Sequence, residues 1–79
     1  MDSEEIFVRV KEILIKQLKL EKNIVTKEAS FRRDLGADSL DTVEFILSLE
    51  RIFGLDIPNS VLEKIVTVSD LVEYIKTHT

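Results

Sequence analysis

Apolar residues in this chain recur at three- and four-residue intervals, and nowhere alternate with polar ones for the length of a strand. That pattern restricts the fold to packed helices. Ile6, Val10, Ile13, Leu14 and Leu18 form one stripe and predict a first helix over residues 4–19. Ser3 is its expected N-cap, Glu4 and Glu5 follow in the first turn, and Glu12 can pair with Lys16 on the wet side. A second helix is expected from Ser39 or Leu40 to Phe53, with Gly54 as its C-terminal stop. After Pro58, residues 60–65 read as a short helix, with Ser60 and Glu63 at capping-box spacing. Thr67 should cap a last helix over residues 68–76, which turns Leu71, Val72 and Ile75 inward. The expected fold class is all-α: a compact four-helix bundle, three helices longer and one short.

Residues 20–38 make a long loop between the first two helices, with Val25, Phe31 and Leu35 spaced through it as core anchors. Loops of that length in so small a domain are often functional. The 79 residues are expected to form a single domain, 1–79, and 44% hydrophobic content suffices for one core. There is no cysteine, which rules out disulfide staples and thiolate chemistry and fits a reducing compartment. The single histidine is His78, so a Cys/His metal site is excluded and no metal is expected. A net charge of -4 disfavours nucleic acid and favours basic protein partners. No apolar run is long enough to span a bilayer, and the start "MDSEEIF" lacks the basic region of a signal peptide. A cytoplasmic monomer is the expectation.

The second helix carries too much apolar surface for one core face. At ~100° per residue, Phe45, Ile46, Leu49, Ile52 and Phe53 centre on one side, and Asp41, Glu44, Ser48 and Arg51 cluster opposite. Leu40, Val43 and Leu47 fall between, so the apolar arc spans roughly 220°, where a surface helix buries ~100°. One explanation is a central helix touched on two sides. The other is a docking surface, with apolar side chains supplying affinity and the carboxylates steering a basic partner.

That helix begins at Ser39, between two aspartates in "LGADSLDTVEF". A nucleophilic serine needs a base within hydrogen-bond reach. The one histidine is remote in sequence, Asp38 and Asp41 are poor bases for a hydroxyl, and no Gly-x-Ser-x-Gly elbow surrounds Ser39. Self-contained catalysis is not expected, and the chain is read as a non-enzyme. Ser39 or Asp38 could simply cap the helix. A cap explains neither the surplus apolar surface nor Gly36.

The block "DLGADSLDTVEF" resembles the phosphopantetheine attachment motif of acyl carrier proteins, built on Asp-Ser-Leu. The resemblance extends through "ASFRRDLGADSL", "IFGLDIP" and "EKIVTVSDLVEYI", and so covers essentially the whole chain. It implies a small helical bundle with a long first loop. It implies that Ser39, flanked by Asp38 and Leu40, is esterified by a 4′-phosphopantetheine group from coenzyme A. A separate phosphopantetheinyl transferase performs that step, commonly with magnesium. The working thiol is then on the arm, where acyl chains are held as thioesters for ketosynthase, acyltransferase and reductase partners of fatty-acid, polyketide or related lipid biosynthesis. By the same resemblance Asp41, Val43, Glu44, Leu47 and Arg51 belong to the partner-docking surface, while Val43, Leu49, Ile57, Leu62, Ile65 and Tyr74 line or border an acyl cavity.

The chain departs from the family at several positions. Arg51 and Ile52 stand where Glu is usual, Arg32 and Arg33 precede the motif, Leu62 replaces a small residue, and "PNSVLEKI" lacks a run of acids. These features point towards a dedicated pathway instead of the housekeeping one, or to Arg51 paired with Glu44 or Glu50 on a solvated surface. Two alternatives stand beside the acyl carrier: a carrier of amino or aryl acids for peptide-type assembly, and an unmodified helical adaptor.

Overall fold

The computed structural model describes residues 2–79, and of Ser39 the backbone alone. Four α-helices follow one another: α1 (Ser3–Leu18), α2 (Ser39–Phe53), α3 (Asn59–Leu62) and α4 (Val68–His78). A single 3-10 turn, Lys22–Ile24, lies in the long loop, and the described residues contain no strand. The all-α reading, three longer helices and one short, holds.

The inward stripes meet in one core. Helix α1 buries Ile6, Val10 and Leu14 and packs against both α4 and α2. Helix α4 answers with Val68, Leu71, Val72 and Ile75, and α2 with Phe45, Ile46 and Leu49. Ile13 and Leu18 pack on the edge of this cluster. Each fully buried aliphatic side chain is worth about 1.5–3 kcal/mol, which is how so short a chain dispenses with disulfides. The core contains no buried polar or charged side chain among the described residues.

Helix boundaries follow capping chemistry. Asp2, not Ser3, caps α1: its carboxylate accepts from the Glu5 N–H at 2.9 Å, and Ser3 becomes the first helical residue. Gly54 ends α2 in the left-handed region (φ 66°), where its N–H reaches Glu50 O. Helix α3 starts earlier than the sequence suggests. Pro58 supplies the N-cap backbone, so Ser60 lies one position inside the helix and the Ser60–Glu63 capping box does not form. Thr67 caps α4 with a full capping box to Asp70, and the helix runs two residues past Lys76. The Glu12–Lys16 pair is absent; the one ion pair among the described residues joins Lys27 of the loop to Glu4 of α1.

The long loop is held by its own chemistry. Val25 and Leu35 are buried as anchors, and Phe31 sits half-buried with its ring 5.9 Å from that of Phe45. Ser30 and Thr67 form an isolated antiparallel bridge. Around it Phe31 N donates to Val66 O, Val68 N to Ala29 O and Ser69 N to Lys27 O. The loop thus docks on the start of α4 through backbone hydrogen bonds.

Candidate functional site

Asp38 is the N-cap of α2. Its carboxylate accepts from Asp41 N at 2.9 Å, and its carbonyl accepts from Thr42 N and from the Thr42 hydroxyl at 2.8 Å. Ser39 is therefore the first helical residue and is not needed as the cap. The Ser39 side chain itself lies outside the described residues. Gly36 takes a left-handed turn (φ 63°) with open space where a Cβ would point, so its role is conformational. Ala37 N donates back to Phe31 O at 3.0 Å. Together these contacts fix the path by which the chain enters α2.

A groove of about 860 Å³ begins beside this entry. Its walls include Ala37, Asp38 and Thr42 from around the start of α2 and the apolar Phe31, Phe45, Ile46, Leu62, Ile65, Val66 and Leu71. Ser30, Arg32 and Glu63 complete the lining. A lining that joins polar residues at the start of α2 to a set of apolar side chains suits an arm with a polar base and an apolar cargo. Of the residues that the resemblance assigns to a cavity, Leu62 and Ile65 line this groove. Val43, Leu49, Ile57 and Tyr74 are not among its walls: Val43 is exposed, Leu49 and Ile57 are buried in the core, and the Tyr74 hydroxyl donates to Asp56 O at 3.0 Å. The α2 wall was readable as spacing, since Thr42 and Ile46 stand three and seven residues after Ser39 and share its helix face.

The outer face of α2 is open. Leu40 is 67% exposed, Leu47 53% and Val43 52%. Glu44 beside them is exposed and Asp41 is half-buried. Ile52, expected in the core, is 51% exposed. It lies about 75° from the centre of the buried face, at the edge of the arc next to Asp41 and Ser48. Arg51 is exposed and pairs with neither Glu44 nor Glu50. Glu50 is engaged elsewhere, its carboxylate accepting from Ile57 N at 2.8 Å and so bracing the α2–α3 loop. Nothing in the sequence signalled that contact, because its donor is a backbone N–H.

Asp70 is the other group with a defined electrostatic role. Backbone N–H donation from Thr67 and then Val66 holds its carboxyl below the usual range, against a small opposing cost of burial. Val66 is a groove wall, so the Asp70 cap also fixes one side of the groove.

Residues 8–75 match the sequence profile of the phosphopantetheine attachment site. The acyl carrier protein of Rubrobacter xylanophilus is 50% identical over 78 residues, 99% of this chain and 96% of its own length. That of Lactobacillus acidophilus is 47% identical over 99% of this chain and 98% of its own. A solution structure from Anaplasma phagocytophilum, assigned to an acyl carrier protein, superposes with a TM-score of 0.90 at 39% identity, over 100% of this chain and 93% of that one. The fold and the entry to α2 define a phosphopantetheine carrier domain. Within that class, the chain belongs to the acyl carrier protein family, whose members are carriers and not enzymes.

Proposed function

We propose that this protein carries acyl chains on a 4′-phosphopantetheine arm attached to Ser39 and presents them to acyl-processing enzymes. The observation that carries the assignment of Ser39 is the cap geometry. Asp38 already satisfies the start of α2, which leaves the serine at the first helical position with no capping duty. When bound, the arm supplies the thiol that holds the cargo as a thioester. The chain's own residues do the rest. Asp38 and Thr42 keep the helix start rigid, and Phe31, Phe45, Ile46, Leu62, Ile65 and Leu71 offer an apolar wall. Each methylene taken from water against such a wall is worth about 0.8 kcal/mol.

Partner enzymes, the phosphopantetheinyl transferase among them, dock on this reading against Leu40, Val43 and Leu47. Asp38, Asp41 and Glu44 provide negative charge for a basic patch, and Arg51 provides the one positive charge on that face. The reading places the protein in the cytoplasm, as a monomer, beside the enzymes of lipid assembly.

Incubation of the purified protein with coenzyme A, magnesium and a transferase tests the attachment. The intact mass should rise by one phosphopantetheine group in the wild type. Ser39→Ala should fold normally, since the Asp38 cap remains and alanine is the best helix former, but should gain no mass. Modification that persists in that variant refutes Ser39 as the attachment point.

A further inference from the structure

We propose that Arg32 is the counter-ion of the arm's phosphodiester and holds the base of the arm against the groove. The inference rests on attachment at Ser39. Arg32 lines the same groove as Ala37, Asp38 and Thr42. The Ala37 N to Phe31 O hydrogen bond lays the two parts of the loop side by side and brings residue 32 next to the entry of α2. Ser39 is two residues beyond Ala37.

The electrostatics of this corner call for a cation. The charged residues among the described groove walls are Arg32, Asp38 and Glu63, and Asp41 follows in the first turn of α2. A phosphodiester on Ser39 adds a further negative charge beside carboxylates. Arg32 is the one base among those walls, it is exposed, and it makes no ion pair with any described residue. Its guanidinium is free to present two N–H groups to phosphate oxygens, the geometry for which arginine is best suited. Neighbouring Arg33 is also exposed but does not line the groove, which makes it the natural control.

The test uses the loaded protein and reads the phosphorus directly. Wild type, Arg32→Gln and Arg33→Gln are converted with coenzyme A and a transferase, and loading is verified by mass. The 31P chemical shift of the phosphodiester is then followed as sodium chloride is raised. In the wild type the resonance should move as salt screens the pair, and Arg33→Gln should follow the same course. Arg32→Gln should start near the high-salt position and move at least about twofold less, because the screened contact is already gone. Arg32→Lys should fall between, keeping the charge without the fork. A loaded Arg32→Gln protein with the wild-type shift and salt response overturns the proposal alone. So does an equal effect of both glutamine variants, which would mean a general effect of net charge. A wild type that gains no mass overturns the attachment reading and this proposal with it.

Discussion

The two sides of this bundle are built differently. On the α1–α4 side, two long, well-capped helices in contact bring fully buried aliphatic residues into one cluster, Ile6, Val10 and Leu14 from α1 and Leu71 and Ile75 from α4. On the α2–α3 side, a helix of four residues has no side-chain cap and no buried residue, and both it and α2 contribute to the lining of a groove. Val61 and Leu62 of α3 are only half-buried. The outer face of α2 leaves Leu40, Val43 and Leu47 in water. A carrier has to keep its shape while cargo enters and partners come and go. The core shared by α1, α4 and the inner face of α2 carries the stability, while α3 and the outer face of α2 form the adjustable surface, and elements with few buried contacts are the ones that open at low cost.

The largest expected effect separates the two sides most clearly. Leu14→Ala removes a wholly buried side chain of α1 and should cost about 2–5 kcal/mol in urea denaturation. Leu62→Ala, on the groove wall, should cost about 1 kcal/mol, since the site is half-open and can relax. Comparable losses at the two positions would show that α3 is as firmly packed as α1, and the division would fail.

Asp70 lies on the seam between the sides, capping α4 while holding Val66 of the groove. Its folded-state pKa is lowered, so its contribution is complete above the unfolded value and disappears as pH falls through the folded one. Asp70→Asn should therefore cost about 1 kcal/mol at neutral pH, as losses of a cap typically do. The gap to wild type should close as the pH is taken from about 4, the ordinary aspartate value, towards 2. Melting curves for both proteins across that interval check the sign. A gap that stays constant to pH 2 would mean that the carboxylate's charge contributes nothing.

How much of this was legible in the sequence depended on which atoms held the structure together. Side chains at helical spacing declared α1, α2 and α4, and Gly54 and Thr67 marked real boundaries. Asp2 and Ser3 are both good caps, and only geometry decides that the aspartate reaches the Glu5 N–H. Ser60 and Glu63 had the spacing of a capping box but not the register, because the N-cap is Pro58, two residues before Ser60. The loop's attachment to α4 at Ser30 and Thr67, and the brace from Glu50 to Ile57, depend on backbone groups that every residue carries. Such bonds leave no mark in residue type. The attachment motif was legible because Ser39 sits in an unusual block, whereas the groove beside it draws Phe31, Thr42 and Val66 from three separate segments.

The smallest effect on stability is expected at Leu47, and it is informative because it is small. At 53% exposure Leu47 buries little against its own chain, so Leu47→Ala should shift the unfolding free energy by no more than about 0.5 kcal/mol. Alanine's higher helix propensity offsets part even of that. The same change removes apolar area from the patch formed with Leu40 and Val43, flanked by Glu44. If partners dock there, the loaded variant should bind an acyl-processing enzyme about fivefold to tenfold more weakly, the scale of a modest interface contact. Titration of wild type and variant against one such enzyme, with melting curves on the same preparations, measures both quantities. A stability loss approaching that of Leu14→Ala would place Leu47 in the core and end the contrast between the two sides. Unchanged stability with unchanged affinity would leave the open face of α2 intact but move the docking surface elsewhere.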